Sequence, residues 1–205
     1  MKTLNIVVTL VFVALMVATI SCSSIDSQEQ RTSSDSQSNS GVLQVARQVV
    51  EALKAKDGKK LASLVHPEKG VRFSPGAYVD VTSDVVFSRA QIETFWTDER
   101  IYTWGFADGT GDSINMTPSQ YSREYIMSRD FLSPSSINVN SDRAAGNTTN
   151  NANLIYPNGT RVEYYIEPTI RNGVPDLDWA ALRLVFERSG NSWFLIAVIH
   201  DEWTT

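Results

Sequence analysis

Apolar side chains recur every three or four residues from position 42 onward, which is the spacing of one face of a helix. The positions that form this stripe are Val42, Val45, Ala46, Val49, Val50 and Leu53. We therefore predict a helix that begins near Gly41 and ends at Asp57-Gly58. A second short helix is predicted over residues 59–65, followed by a short strand at residues 71–73.

Two capping signals predict further helices in the middle of the chain. Ser88 with Gln91, and Thr117 with Gln120, have the spacing of a capping box, in which the cap side chain and the third helical side chain bond each other's backbone. We expect helices over residues 89–96 and 118–128, with a strand at residues 101–106 between them. The Ser- and Asn-rich residues 130–153 are predicted to form a long loop.

The last third of the chain has the alternation of β-strands. Residues 153–156 and 160–167 flank an Asn-Gly turn and predict one hairpin, and residues 178–188 and 192–203 predict a second around residues 189–191. Both faces of the last strand are apolar, so it should be central in its sheet. Regular alternation would place His200 on one face with Phe194, Ile196 and Val198.

The N-terminus has the pattern of an export signal. Lys2 precedes an apolar run over residues 6–18, and Cys22 follows where that run ends. Residues 1–21 are predicted to be a signal peptide, and residues 22–40, in which serine dominates, a disordered tether. This leaves residues 41–205 as one domain, a length that can bury a core without disulfides or metals.

The segment before Cys22 resembles the bacterial lipoprotein signal, which implies diacylglycerol or palmitate on Cys22. The resemblance departs from that pattern at Thr19, where the family prefers an aliphatic residue. Ordinary signal-peptidase cleavage and an uncleaved anchor over residues 3–24 are the alternatives, since that span is uncharged and about 20 residues long. All three place the domain outside the cytoplasm, on the cell membrane or the outer membrane when lipid-anchored.

Composition excludes several classes of chemistry. The net charge is −5 and no basic stripe is present, so we expect no nucleic-acid partner. The single cysteine belongs to the export signal, which leaves neither an internal disulfide nor a Cys-His nucleophile. No phosphate-binding, zinc-protease or serine-hydrolase motif occurs, and neither a cofactor nor a metal is predicted.

The order of the predicted elements, with residues 61–75 (LASLVHPEKGVRFSP) and 182–204 (LRLVFERSGNSWFLIAVIHDEWT), resembles the nuclear-transport-factor-2-like, or cystatin-like, cone domain of a group of uncharacterised bacterial exported lipoproteins. The resemblance implies an α+β fold in which a curved antiparallel sheet wraps around N-terminal helices and leaves a pocket at its open end. Proteins of this fold include binding modules, dimerisation domains and enzymes, so the fold does not decide the function.

Few residues are candidates for chemistry in such a pocket. His200, at the end of the last strand, is the candidate general base, although Asp201 points to the opposite face of a regular strand and cannot orient it. Arg183 and Arg72 are candidates for binding a carboxylate or phosphate through two parallel hydrogen bonds. For Arg183 the alternative is a buried ion pair with Glu163 or Glu187. Four aromatic residues are candidates for lining the pocket: Trp104, Tyr125, Tyr164 and Trp203.

The favoured hypothesis is a cell-envelope lipoprotein whose domain binds a small amphipathic ligand or an envelope component. The alternatives are a protein-interaction module that forms a homodimer through its sheet, and a cofactor-independent isomerase, dehydratase or hydrolase that uses His200 as its base. The absence of a catalytic motif favours binding over catalysis.

Overall fold

The structure, a computed structural model, describes residues 23–144 and 146–203, with side chains described from residue 39 onward. The predicted signal peptide and its lipidation site, Cys22, lie outside the described residues. No helix in the part of the chain that the structure describes is long and apolar enough to cross a membrane.

The first helix, α1, covers Ser23–Ala55. Most of its predicted apolar stripe is buried: Val42, Ala46, Val49, Val50 and Leu53. As described, α1 also includes the Ser-rich residues 23–40. The role of this segment as a tether stays a prediction.

The short helices follow their capping signals. Asp57 caps α2 (Gly58–Leu64) by accepting a 2.9 Å bond from the Lys60 amide, so the Asp57-Gly58 pair starts a helix as well as following one. Both predicted capping boxes are present, at the starts of α3 (Arg89–Glu93) and α4 (Pro118–Tyr121). A 3-10 helix, Phe95–Thr97, follows α3, and a π-helix, Ser122–Ile126, continues α4.

Ten strands are present among the described residues: β1 (Val71–Ser74), β2 (Val85–Phe87), β3 (Tyr102–Phe106), β4 (Ser113–Met116), β5 (Ser136–Val139), β6 (Thr160–Ile166), β7 (Ile170–Arg171), β8 (Val174–Pro175), β9 (Ala180–Ser189) and β10 (Ser192–Glu202). Six of them form a curved sheet in the order β2-β1-β10-β9-β6-β5. Its pairs are antiparallel except β1 with β10, which is parallel. The remaining strands form the hairpins β3–β4 and β7–β8.

The α+β fold, the β9–β10 hairpin and the central place of the last strand are as predicted. The hairpin predicted around Asn158-Gly159 is wrong. Residues Ala152–Ile155 form a short helix, α5, and β6 pairs with β5, inside the predicted loop. The Asn151 side chain, directly before α5, joins this segment to the one after β1. It accepts a 2.7 Å bond from the Val79 amide and donates a 3.0 Å bond to the Val79 carbonyl.

A β-bulge at Ile196 changes which side chains share a face of β10. Leu195 pairs with Phe186 and Ala197 with Val185, so Ile196 is the extra residue. We call inner the face that packs against α1, which carries Leu195 and Val198, and outer the opposite face, which carries Ile196, Ala197 and Ile199. His200 therefore shares the inner face with Val198. Its predicted sharing of a face with Phe194 and Ile196 is wrong, because regular alternation does not hold across a bulge.

The core lies on the inner face, within the compact unit Gly41–Thr205. Five aromatic residues at its centre are nearly inaccessible: Phe73, Phe87, Phe95, Trp104 and Tyr121. The Trp104 and Tyr121 rings stack with their centroids 3.8 Å apart. This cluster occupies the centre of the inner face, and a cleft opens near the end of β10.

Candidate functional site

A cleft of about 160 Å³ opens beside the last residues of β10, and we call it the His200 cleft. Its walls come from the segment after β1, the β3–β4 hairpin, the π-helix and the end of β10. The residues lining it are Pro75, Gly76, Ala77, Phe106, Ala107, Asp108, Ile114, Tyr125, Thr148, His200, Asp201 and Glu202. Of the predicted site residues, the structure brings His200 and Tyr125 together here.

His200 is buried, with 3% of its surface exposed, and neither Nδ1 nor Nε2 makes a well-formed hydrogen bond to a described residue. Tyr125 packs edge-on against the imidazole, with ring centroids 5.6 Å apart. A neutral imidazole has one donor and one acceptor nitrogen, and a buried nitrogen left without a hydrogen bond costs about 1–3 kcal/mol. A small polar molecule in the cleft would remove that cost.

Glu202 lies two residues further along the strand and shares the inner face with His200. Its Oε1 is 3.5 Å from His200 Nε2, an ion-pair distance at the limit of hydrogen bonding. The interaction with His200 lowers the pKa of Glu202, which favours its ionised form. Asp108 adds a second carboxyl group to the cleft and accepts a 2.8 Å bond from Thr148 Oγ1. The charged groups at the rim are thus mainly acidic.

Arg183 lies on the outer face, away from His200. It is fully buried, and its Nε donates to Glu163 Oε2 at 3.0 Å while its Nη2 donates to Asp201 Oδ2 at 2.7 Å. This is the ion pair with Glu163 that the sequence left as the alternative to ligand binding, with Asp201 as a second partner. Glu187 bonds Lys69 instead. Arg183 and His200 therefore do not meet in one cavity.

The other predicted aromatic residues lie apart from the cleft. Trp104 belongs to the core, and its Nε1 donates to the Met116 carbonyl at 2.9 Å. Tyr164 is buried on β6, where burial raises its pKa to about 12. Trp203 follows the end of β10 and is 37% exposed. None of the three is among the residues that line the cleft.

Arg72 lines a different and larger pocket, of about 400 Å³, on the outer face. We call it the Arg72 pocket. Arg72 lies opposite Val86 on β2 and beside Ala197 on β10, and its Nη1 donates to the carbonyls of Val81 and Asp84, both at 3.3 Å. The two candidate cations of the sequence analysis thus occupy separate parts of the outer face.

Glu202, Asp108 and Thr148 are cleft residues that the sequence analysis missed. A strand's period of two would have identified Glu202, which is the next side chain after His200 on the same face. Nothing in the sequence connects residues 108 and 148 to position 200, because their proximity depends on how the β3–β4 hairpin and the segment before α5 pack. Among the described residues, no three His, Cys, Asp or Glu side chains are placed to hold a metal ion.

No family model and no curated protein matches the chain. Several solved structures are similar to it, among them the following three. A designed protein of the nuclear-transport-factor-2-like type has 12% identity and a TM-score of 0.32, covering 80% of this chain and 98% of its own. A putative calcium/calmodulin dependent protein kinase II association domain from Xanthomonas campestris has 18% identity and a TM-score of 0.30, covering 75% and 79%.

The third is a DUF4783 family protein from Bacteroides ovatus, with 11% identity and a TM-score of 0.29, covering 77% of this chain and 94% of its own. At these identities and TM-scores the similarities carry no functional information. The α+β arrangement stands on the topology described above.

Proposed function

We propose that residues 41–205 form a binding domain that holds a small amphipathic ligand, or part of an envelope component, in the His200 cleft. The observation that supports this most is the buried imidazole that lines an open cleft with neither nitrogen hydrogen-bonded to a described residue. Buried polar groups in folded proteins almost always have partners, so an exception at a cleft indicates a group reserved for a ligand or a bound water.

The cleft also indicates the kind of ligand. Pro75, Phe106 and Ile114 supply apolar wall, while Asp108 and Glu202 supply carboxyl groups. This combination suits a short apolar chain with a cationic or hydrogen-bond-donating head, such as a primary amine. Since 160 Å³ is below the roughly 300–1,000 Å³ of pockets for drug-sized ligands, the ligand is small or inserts only one end.

Histidine-selective NMR tests the proposal directly, because the chain has only two histidines. His66 lies elsewhere, its Nδ1 accepting bonds from the Glu68 and Lys69 amides, and it serves as the internal control. Titrating butylammonium into the full chain should shift the ring signals of His200 saturably and leave those of His66 in place. Butyrate, which carries the opposite charge, should have no such effect.

Two variants complete this experiment. Calorimetric titration, which does not depend on the His200 signals, should show that His200→Phe abolishes the binding of butylammonium and that Glu202→Gln weakens it at least tenfold, since a hydrogen bond to a charged group contributes about 1.5–3 kcal/mol. Unchanged His200 signals at millimolar butylammonium would contradict the proposed ligand class. Equal shifts at both histidines would mean nonspecific binding and would overturn the site.

A second candidate function is favoured by the 3.5 Å separation of His200 Nε2 and Glu202 Oε1. A carboxylate beside an imidazole can orient it and stabilise its protonated form, as a general base requires. In this case the domain would be an isomerase, dehydratase or hydrolase acting on a ligand of the same size. Loss of a measured turnover in His200→Ala with an unchanged melting temperature would distinguish catalysis from binding alone.

We further propose that the domain is exported and lipid-anchored through Cys22, with residues 23–40 as spacer. The support is the signal-like sequence of residues 1–21 and the position of the single cysteine at its end. Radiolabelled palmitate should enter the full chain and be lost in Cys22→Ala, with Ser24→Ala as the matched control. Incorporation that survives Cys22→Ala would overturn the lipidation while leaving export to be decided by cell fractionation.

A further inference from the structure

The Arg72 pocket lies on the face of the sheet opposite the aromatic core, and the proposed binding domain makes no use of it. Its volume of about 400 Å³ is within the roughly 300–1,000 Å³ range of ligand pockets. Val86, Ile155 and Ile196 line its apolar part, and Arg72, Lys69 and Tyr156 contribute polar groups. Charged and apolar linings of this kind together favour an amphipathic ligand.

Two local features form the walls. The bulge in β10 places Ile196 on the outer face, where a regular strand would have no extra side chain. The turn at residues 156–159 packs against the sheet so closely that a Cβ at Gly159 would lie 2.7 Å from Val185 Cγ1. Only glycine allows that approach, which holds Tyr156 and Pro157 over the pocket.

Of the two cations in the pocket, Arg72 has no carboxylate of the described residues at ion-pair distance, although its charge interacts at longer range with the buried Asp84 carboxyl. Lys69 Nζ is 2.7 Å from Glu187 Oε1, so these two charges neutralise each other. No carboxylate of the described residues lies within 4.0 Å of the Arg72 guanidinium, which donates to two backbone carbonyls instead. The carbonyl oxygens hold the guanidinium beside the apolar wall, and the more distant Asp84 carboxyl offsets its positive charge only in part.

Tyr156 adds an unsatisfied polar group. Its hydroxyl oxygen is buried without a well-formed hydrogen bond to a described residue, and it lies near enough to Arg72 for that positive charge to oppose the rise in the Tyr156 pKa that burial causes. It lines the same pocket as Arg72. An ionised head group held between them would accept a hydrogen bond from each.

We propose that the Arg72 pocket is a second ligand site, which takes a small organic anion: a carboxylate held by Arg72 and the Tyr156 hydroxyl, with a short alkyl chain on Val86, Ile155 and Ile196. This site is independent of the His200 cleft, which lies at the other face of the sheet and has an acidic rim. The two sites therefore differ in the sign of the charge that they select.

Calorimetric titration of the full chain with octanoate tests the proposal. Octanoate should bind saturably, whereas octanamide and octylammonium, which have the same chain length without the negative charge, should bind at least tenfold more weakly. Arg72→Gln should weaken octanoate at least tenfold and Tyr156→Phe a few-fold. Arg171→Gln removes an equal charge from an exposed hairpin arginine and should change nothing.

Two further variants keep the proposal testable if Arg72→Gln fails to fold. Val86 is 44% exposed on an edge strand, so Val86→Trp should fold and fill the pocket, abolishing the binding of octanoate. His200→Phe should leave octanoate binding unchanged, which separates this site from the proposed function. Equal affinity for octanoate and octanamide, unchanged octanoate binding in Val86→Trp, or no binding at all would each overturn the proposal.

Discussion

The two faces of the central sheet are stabilised by different interactions. The inner face is apolar and aromatic, with Phe73 of β1 at the centre of ring contacts to Phe87, Phe95, Trp104 and Tyr121. The outer face buries charged groups: Glu163, Arg183 and Asp201 lie side by side on three neighbouring strands. The inner face is stabilised by the burial of apolar surface, and the outer face depends in addition on ion pairs and hydrogen bonds between buried charged groups.

The covering segment at residues 142–144 completes the outer face with its backbone. The Arg143 amide donates to Glu163 Oε1 at 2.6 Å, and the Ala144 carbonyl accepts a 3.3 Å bond from Arg183 Nη2. Burial of Asp201 raises its pKa, an effect that Arg183 opposes. A buried charge network of this kind tolerates the loss of a member poorly, because each remaining charge then lacks its partner.

Removing the central cation of that network should have the largest effect on the sheet. Arg183→Ala leaves two buried carboxylates without their partner, and we expect the free energy of unfolding to fall by about 3–5 kcal/mol. Urea denaturation followed by circular dichroism measures this loss. Arg188→Ala, which changes an exposed arginine of the same strand, should stay within about 0.5 kcal/mol of the unchanged protein.

A loss below 1 kcal/mol in Arg183→Ala would contradict the view that the outer face depends on its ion pairs. The stability of the sheet would then come almost entirely from the inner aromatic cluster. Equal losses in Arg183→Ala and Arg188→Ala would lead to the same conclusion.

The inner face could be predicted well from the sequence because its signals are local. The apolar stripe of α1, the capping boxes at Ser88 and Thr117 and the turn at Gly190-Asn191 each lie within a few residues of one another. Hydrophobic periodicity identifies which side chains will be buried, and capping identifies where a helix begins. These features need no knowledge of distant contacts.

The outer face and the cleft depend on pairings that no local pattern shows. Residues 136–139 were predicted to be loop, and only their pairing with β6 makes them a strand. The bulge at Ile196 is defined by the register of β10 against β9, so counting along β10 alone predicts the wrong face for Ile196 and Phe194 relative to His200. The partners of Arg183 could be narrowed to nearby acids, but Asp201 could not be chosen without the register of β9 and β10.

The second prediction concerns a titrating group on the outer face. Asp84 accepts bonds from Ser74 Oγ and from the Asp80 amide at 3.1 Å, and burial raises its pKa from 3.8 to about 6. Because the folded state binds this proton more tightly than the unfolded state, stability from Asp84 is greatest below the lower value and is lost as pH rises toward the higher one. In the unchanged protein the free energy of unfolding should fall by up to about 3 kcal/mol between pH 3.8 and about 6, and in Asp84→Asn this fall should be absent.

Denaturation at a series of pH values measures the difference between the unchanged protein and Asp84→Asn. As pH rises to about 6, Asp84→Asn should become more stable relative to the unchanged protein, and above that pH the difference in free energy of unfolding should stay constant. Asp112→Asn, which changes an exposed aspartate, should give a curve parallel to that of the unchanged protein. Parallel curves for Asp84→Asn would show that the outer face does not favour its protonated form.

The smallest predicted effect tests the residue that separates the two faces along β10. Deleting Ile196 removes the bulge but leaves Leu195 and Val198 inner and Ile199 outer, because the register to β9 is continuous on both sides of it. The expected loss is about 2 kcal/mol, the contribution of one buried isoleucine. Thermal unfolding measures this value, and the deletion should also abolish octanoate binding while butylammonium still shifts the His200 signals.

An insertion provides the opposite case. One alanine added between Val198 and Ile199 would move Ile199 inward and His200 outward, reversing the faces of both residues. It should cost far more than the deletion, because a fully buried isoleucine and the polar imidazole would exchange environments. If insertion and deletion destabilise the sheet equally, the bulge is not what assigns these side chains to their faces. The separation of an acidic cleft on one face from a cationic pocket on the other would then need another structural origin.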